Sequence, residues 1–271
     1  MTIKRTLSRV ALALPAIALL IAPASAHRRW LLPSATVLSG DHEVVSVDAA
    51  IANGLFYFDH HAMPLDDLVI TGPDGKAVQP KIIGSGKYRS VFDVPLDTQG
   101  TYRIALASNG VFGSYMLNGE RKRWRGSAEA AKTGIPAGAT EVQLTPVASR
   151  VETFVTLGAP STTALKPTGK GIEMVPVSHP NDLVAGEAAK MRFLIDGKPA
   201  PGLDVEFVQG GTRYRDKEAM QHITTDADGI ATLNAAAPGM YYLETSNGGG
   251  REAPKGGTRM SYAAVLEFLP G

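Results

Sequence analysis

The chain has 271 residues, of which 27 are basic and 26 acidic, and it contains no cysteine. Near-balanced charge excludes nucleic-acid or membrane binding driven by bulk electrostatics. The missing cysteines exclude disulfides, leave stability to core burial, and restrict any metal site to nitrogen, oxygen or thioether ligands.

The first elements read as an export signal. Lys4, Arg5 and Arg9 form a basic start, residues 10–22 an apolar run, and Ala24-Ser25-Ala26 a small-x-small cleavage site, which predicts a signal peptide over 1–26. No cysteine sits at the cut, which excludes a bacterial lipid anchor, and the periplasm is the expected compartment. Removing the three basic residues of the signal takes 27 to 24 against 26 acidic residues. Beyond residue 26 no apolar run approaches the roughly 20 residues that span a bilayer, so no membrane span is expected in the mature chain.

A cut after Ala26 makes His27 the first residue. An N-terminal histidine offers its amine and ring Nδ1 to one metal ion in a chelate that an internal histidine cannot form. With a second imidazole nearby, the result is a three-nitrogen, T-shaped site suited to Cu(II), with Ni(II) next. A cut displaced by one residue removes that amine.

Downstream, short runs of alternating polarity are separated by turn chemistry, with almost no helical period, which predicts an all-β fold. Strands are expected at 43–47, 67–70, 88–94, 100–106, 151–156 and 262–269. Pro73-Asp74-Gly75 and Asp196-Gly197 are tight-turn signals, since glycine takes positive φ without steric cost. Gly100-Thr101-Tyr102 in the first half is echoed by Gly239-Met240-Tyr241 in the second, and Ser39-Gly40-Asp41 by Ala185-Gly186-Glu187. This repeat predicts two tandem immunoglobulin-like β-sandwich domains, 27–145 and 146–271. The segment 108–139 reads as a long loop with a helical turn or two near 127–132. A second segment, 246–259, reads as a flexible hairpin tip.

All six histidines, His27, His42, His60, His61, His179 and His222, lie after the expected cut. Asp59-His60-His61 is the densest ligand cluster. Neighbours on a strand point to opposite faces, so His60 and His61 serve one metal only from a turn or bulge. His179 reads as a turn histidine bonded to backbone, at a place where the second domain faces the first. The basic run from Arg121 to Arg125 with Trp124 reads as a solvated loop, with anion or sugar binding as the functional alternative. Asp226-Ala227-Asp228-Gly229 lacks the full ligand series of a calcium loop and reads as a hairpin turn. Nucleophile-elbow, phosphate-loop and zinc-protease motifs are absent, so there is no positive case for hydrolysis.

Five segments carry a family resemblance: 26–34 starting Ala-His-Arg-Arg-Trp, 56–60 ending Asp59-His60, 122–126 around Trp124, 179–183 starting His179-Pro180-Asn181, and 225–229 on to Tyr241. Together they make the chain similar to an exported domain-of-unknown-function family often labelled as a periplasmic component of cobalt or nickel transport. The resemblance implies an immunoglobulin-like sandwich and handling of a divalent transition metal, Cu, Ni or Co, in the periplasm. It matches His27 and His60 and leaves His61 unmatched. The expected function is metal binding through His27, His60, His61 and Asp59, with delivery to a membrane transporter or outer-membrane receptor and no nucleic-acid partner. The alternatives are a metal-independent envelope scaffold and a histidine-brace copper oxidase.

Overall fold

The computed structural model describes residues 27–248 and 257–271; the export signal read at 1–26 and most of the expected hairpin tip lie outside the described residues. In chain order the first half runs β1 (Arg28–Pro33), β2 (Val37–Leu38), β3 (Glu43–Ala52), β4 (His61–Ala62), β5 (Leu68–Thr71), β6 (Lys81–Ser85), β7 (Ser90–Leu96), β8 (Gly100–Leu117), β9 (Glu120–Gly126), α1 (Ala128–Gly134) and β10 (Thr140–Leu157). The second half runs β11 (Ile172–Pro176), β12 (Ala188–Ile195), β13 (Lys198–Pro199), β14 (Asp204–Gln209), β15 (Gln221–Thr224), β16 (Ile230–Asn234), β17 (Gly239–Ser246) and β18 (Arg259–Phe268). The all-β expectation holds.

The strands make three sheets. An outer sheet orders β1-β3-β7-β6, with β4 also on β3; a second outer sheet orders β11-β12-β13, with β16 on β12. Between them a nine-stranded sheet runs β15-β14-β17-β18-β10-β8-β5 and takes β2 and β9 at its sides. Side chains alternate across a strand, and along β18 they alternate between two cores. Ala263 and Val265 join Trp30, Val47 and Phe92 of the first core. Tyr262, Ala264, Leu266 and Phe268 join Met191, Phe193 and Leu233 of the second. The two sandwiches therefore share their middle layer, joined by the parallel pairing of β10 with β18 from Val147↔Arg259 to Thr153↔Val265. Residue 145, where the sequence places a domain join, lies inside β10.

Each sandwich carries a tyrosine corner at the repeat seen in the sequence. The Tyr102 hydroxyl donates to the Thr98 carbonyl at 2.8 Å and accepts from the Thr98 N–H at 2.9 Å. In the second half the Tyr241 hydroxyl donates to the Ala237 carbonyl at 2.8 Å and accepts from its N–H at 3.4 Å. This four-residue loop-back is a hallmark of immunoglobulin-like sandwiches.

Two expectations are corrected. The segment 108–139 is not a loop: β8 continues to Leu117, β9 returns along it from Val111↔Gly126 to Leu117↔Glu120, and β10 covers the other side. Its alternation is obscured because glycines, serines and arginines occupy a solvated ribbon. Asp226-Ala227-Asp228-Gly229 is a tight turn, with Asp226 Oδ1 accepting from the N–H groups of Asp228 and Ile230 at 2.9 Å, but it closes no hairpin. It carries the chain from β15 in the middle sheet to β16 in an outer one.

The first strand is tied to the second half at its start. Arg28, 5% exposed, makes a two-pronged ion pair with Glu218 at 2.8 and 2.7 Å. Arg29 reaches the middle sheet, donating to Ser149 at 2.5 Å and Ser261 at 2.9 Å. The Arg28 bonds hold the Glu218 carboxyl below its ordinary 4.5, against partial desolvation.

Tyr102→Phe is expected to lower stability by about 1–2 kcal/mol, and Tyr241→Phe by less because its N–H contact is longer. Urea unfolding, with a shifted midpoint at unchanged slope, checks this. A carboxylate with a lowered folded pKa adds stability above its unfolded value and loses it as pH falls through the lowered one. The Glu218 side chain is 44% exposed, so the effect is small and local. Exchange protection of the 210–220 amides, corrected for intrinsic rates, is expected to fall as pH drops below 4.5 in the wild type and to be low and pH-independent in Glu218→Gln.

Candidate functional site

β1 and β4 both run antiparallel to β3, with Arg28↔Ala52 and Arg29↔Ile51 on one side and Ile51↔His61 and Ala50↔Ala62 on the other. Two strands antiparallel to one neighbour start at the same end of it. The residues that precede them, His27 and His60, therefore leave the sheet at the C-terminal end of β3. The strands lie about 10 Å apart across β3, a gap that two imidazole side chains bridge. The rings of His27 and His60 stack with centroids 3.9 Å apart and an interplanar angle of 12°, and His61 lies beside them, 4.5 Å from His60 at 42°. His60 sits in the bend before β4 and His61 opens the strand, so adjacent residues present both rings on one side.

A compact loop sets this arrangement. The Asp59 carboxylate accepts from the N–H groups of Asn53 at 2.8 Å and Gly54 at 3.2 Å, closing the turn after β3. Phe56 takes a φ of 59° there, an unusual left-handed position for a bulky residue. Its ring and that of Phe58 pack on the buried Trp30 at 5.7 and 5.3 Å. A Cβ at Gly210 would come within 2.8 Å of the Phe56 ring, so the glycine admits the loop against the second half. Arg213 lies over Tyr57 at 4.7 Å and Arg89 over Phe58 at 4.5 Å, covering the loop from both sides.

Desolvation, then the nearby His27 and His61, push His60 below its ordinary 6.5, with Asp59 opposing weakly. His60 is thus biased toward the neutral imidazole, the form that donates a lone pair. The Nδ1 of His61 faces the Ala62 carbonyl at 3.0 Å, which places the ring proton on Nδ1 and the lone pair on Nε2. Imidazole lone pairs lie in the ring plane, so the stacked rings touch without converging on a point. Among the described residues no group of three or more His, Cys, Asp or Glu side chains is arranged to hold a metal ion.

The other histidines are engaged elsewhere. His42 faces Asp97 at 3.2 Å and His222 faces Asp204 at 3.0 Å, both exposed; the Asp204 contact raises His222. His179 bridges the two halves: its Nδ1 accepts from Asn181 N–H at 3.2 Å, and its Nε2 meets the Thr101 hydroxyl at 3.1 Å. Asn181 in turn bonds the Phe154 carbonyl at 2.9 Å and the Thr156 hydroxyl at 3.0 Å. The basic run lies on β9, with Arg121 on Glu141 at 3.0 Å and Lys122 on Glu120 at 2.5 Å. Trp124 is not an open platform for a sugar, because a Cβ at Gly134 in α1 would meet its ring at 2.2 Å. Residues that the sequence reading passed over are Arg28, Arg29 and Glu218, which anchor the strand behind His27. Arg28 and Arg29 stand beside the motif, but Glu218 is 190 residues away with no local signal.

Among curated proteins none matches the chain. Solved structures similar to it include the D0-D1 domain of intimin, at 13% identity over 88% of this chain and 97% of that one, with a TM-score of 0.23. Trypsin-activated α2-macroglobulin from Escherichia coli matches at 12% identity, over 92% of this chain and 16% of that one, with a TM-score of 0.24. The ectodomain of mouse nectin-like molecule 4 matches at 13% identity, over 90% and 64% of the two chains, with a TM-score of 0.20. The sandwich assignment rests on this chain's own sheets, cores and tyrosine corners. The model of a domain of unknown function, DUF4198, matches residues 24–249, most of the chain, and the protein belongs to that family.

Proposed function

We propose that the protein binds a divalent transition metal, Cu(II), Ni(II) or Co(II), at the shared start of β1 and β4, and carries it in the periplasm to a membrane transporter or outer-membrane receptor. The observation that supports this reading is the contact of His27 with His60, with His61 beside them. In it His27 supplies its amine and Nδ1, His60 the third nitrogen, and His61 a further one through its Nε2. Three imidazoles and an amine form a donor set that suits these ions. Asp59 is the weaker donor, since its oxygens already close the turn.

The stacked rings have to turn apart to converge on a metal. His27 and His61 are exposed, so rotamer changes meet little packing resistance. The strands behind them stay fixed by Arg28 on Glu218 and Arg29 on Ser149 and Ser261. The chelate depends on cleavage after Ala26, which makes the export signal part of the site. The copper-oxidase alternative gains nothing from the two tryptophans, because Trp30 is buried and Trp124 is packed on α1. The metal-independent scaffold rests on architecture alone.

Protein processed in its own host is expected to begin at His27 by intact mass. Cu(II) and Ni(II) titrations are expected to show binding that His27→Ala and His60→Ala each weaken at least tenfold, about 1.4 kcal/mol. Affinity is expected to fall steeply below about pH 6, as amine and imidazole protonate in competition with the metal. A different N-terminus, or binding indifferent to both substitutions, overturns the proposal.

A further inference from the structure

A cleft of about 290 Å³ is lined by β5, β8 and β10 of the middle sheet and by the segment that leads into β11. Ala105, Ala107 and Ala148 line it together with Val69 and Ile172. Three cationic residues, Arg103, Arg150 and Lys170, line it as well.

Two buried carboxylates hold one of those cations in place. Glu152 and Glu173 are 1% and 2% exposed. Arg150 Nη1 donates to Glu152 Oε1 at 2.9 Å, while Nη2 donates to the Thr168 hydroxyl at 3.1 Å and lies 3.7 Å from Glu173. Each carboxylate has further donors. The Tyr262 hydroxyl donates to Glu152 Oε2 at 2.8 Å. Glu173 accepts from the N–H groups of Thr168, Gly169 and Lys170 at 2.8, 2.6 and 3.3 Å and from the Thr168 hydroxyl at 2.8 Å. Arg103 bonds the Lys166 carbonyl at 3.0 Å, and its Nε stands 4.0 Å from Glu152.

Three cations against two carboxylates leave the lining with an excess positive charge. Burying an ion-pair network is a poor way to gain stability, since apolar residues of the same volume do as well or better. What such a network does supply is a guanidinium fixed in one orientation before any ligand arrives, the condition for recognising a planar anion. The apolar lining selects against a bare inorganic ion, which has no surface to place there.

We propose that the cleft binds a small organic carboxylate, its anionic head on Arg150 and Arg103 with Lys170 adding charge, and its carbon skeleton against Val69, Ala107 and Ala148. The site uses none of the three clustered histidines and stands independently of metal binding.

Calorimetric titration of the exported protein with succinate and tricarballylate tests this, with inorganic phosphate and sulfate as bare-anion probes. Saturable binding is expected for a carboxylate, at least tenfold tighter than for phosphate, and weaker as salt rises. Ala107→Phe fills the cleft and leaves the ion pairs intact, and is expected to abolish binding. Lys170→Ala, an exposed change that leaves the fold alone, is expected to weaken it several-fold, and His27→Ala to leave it unchanged. Three results each overturn the proposal: no saturable binding of either carboxylate to the folded wild type, phosphate binding as tightly, or wild-type affinity in a folded Ala107→Phe or in Lys170→Ala.

Discussion

The structure depends on a sheet that is apolar on both faces. A sheet with one solvated face alternates apolar with polar residues, but a strand covered on both sides reads as a nearly continuous apolar run. The last strand has that character, from Tyr262 through Ala263, Ala264, Val265 and Leu266 to Phe268, and all of these are buried. Ala263 and Val265 belong to the first core, and Tyr262, Ala264, Leu266 and Phe268 to the second. The parallel pairing of β10 with β18 then places two sandwiches on opposite faces of one layer.

That arrangement has consequences at both ends of β10. Toward its C-terminus the strand is fully buried, and His179 and Asn181 lock the second half onto Thr101 and Thr156 of the first. Toward its N-terminus the outer sheets fall away, leaving a ribbon of β8, β9 and the start of β10 supported by α1. Between the two regions the middle sheet is partly covered, and there Arg29 crosses from the first outer sheet to Ser149 and Ser261. The histidine cluster and the cationic cleft both lie where covering layers stop, so each is open to solvent while resting on a rigid sheet.

The histidine cluster also shows how a fold narrows the roles available to residues of one type. Six histidines are equivalent in composition, yet three are fixed in other bonds and three share one end of β3. Asp59, a ligand candidate by its neighbours in the sequence, is in addition the residue that closes the turn before them.

Strand alternation, turn glycines and the paired Gly-x-Tyr segments are local signals, and they were sufficient for an all-β chain with two related halves. Alternation weakens where a strand is solvated on both faces, which is why residues 108–126 read as a loop although they form β8 and β9. It is equally silent on which sheet a strand joins, so the shared middle layer was hidden and the expected join fell inside β10. By itself the sequence determined the fold class, the inventory of nitrogen donors and the lack of thiolates. Only the tertiary structure decided that His27 meets His60, that Arg28 finds Glu218, and that Glu173 comes to Arg150. Such contacts join residues tens to hundreds of positions apart, and they follow from strand register and layer packing, which no local pattern encodes.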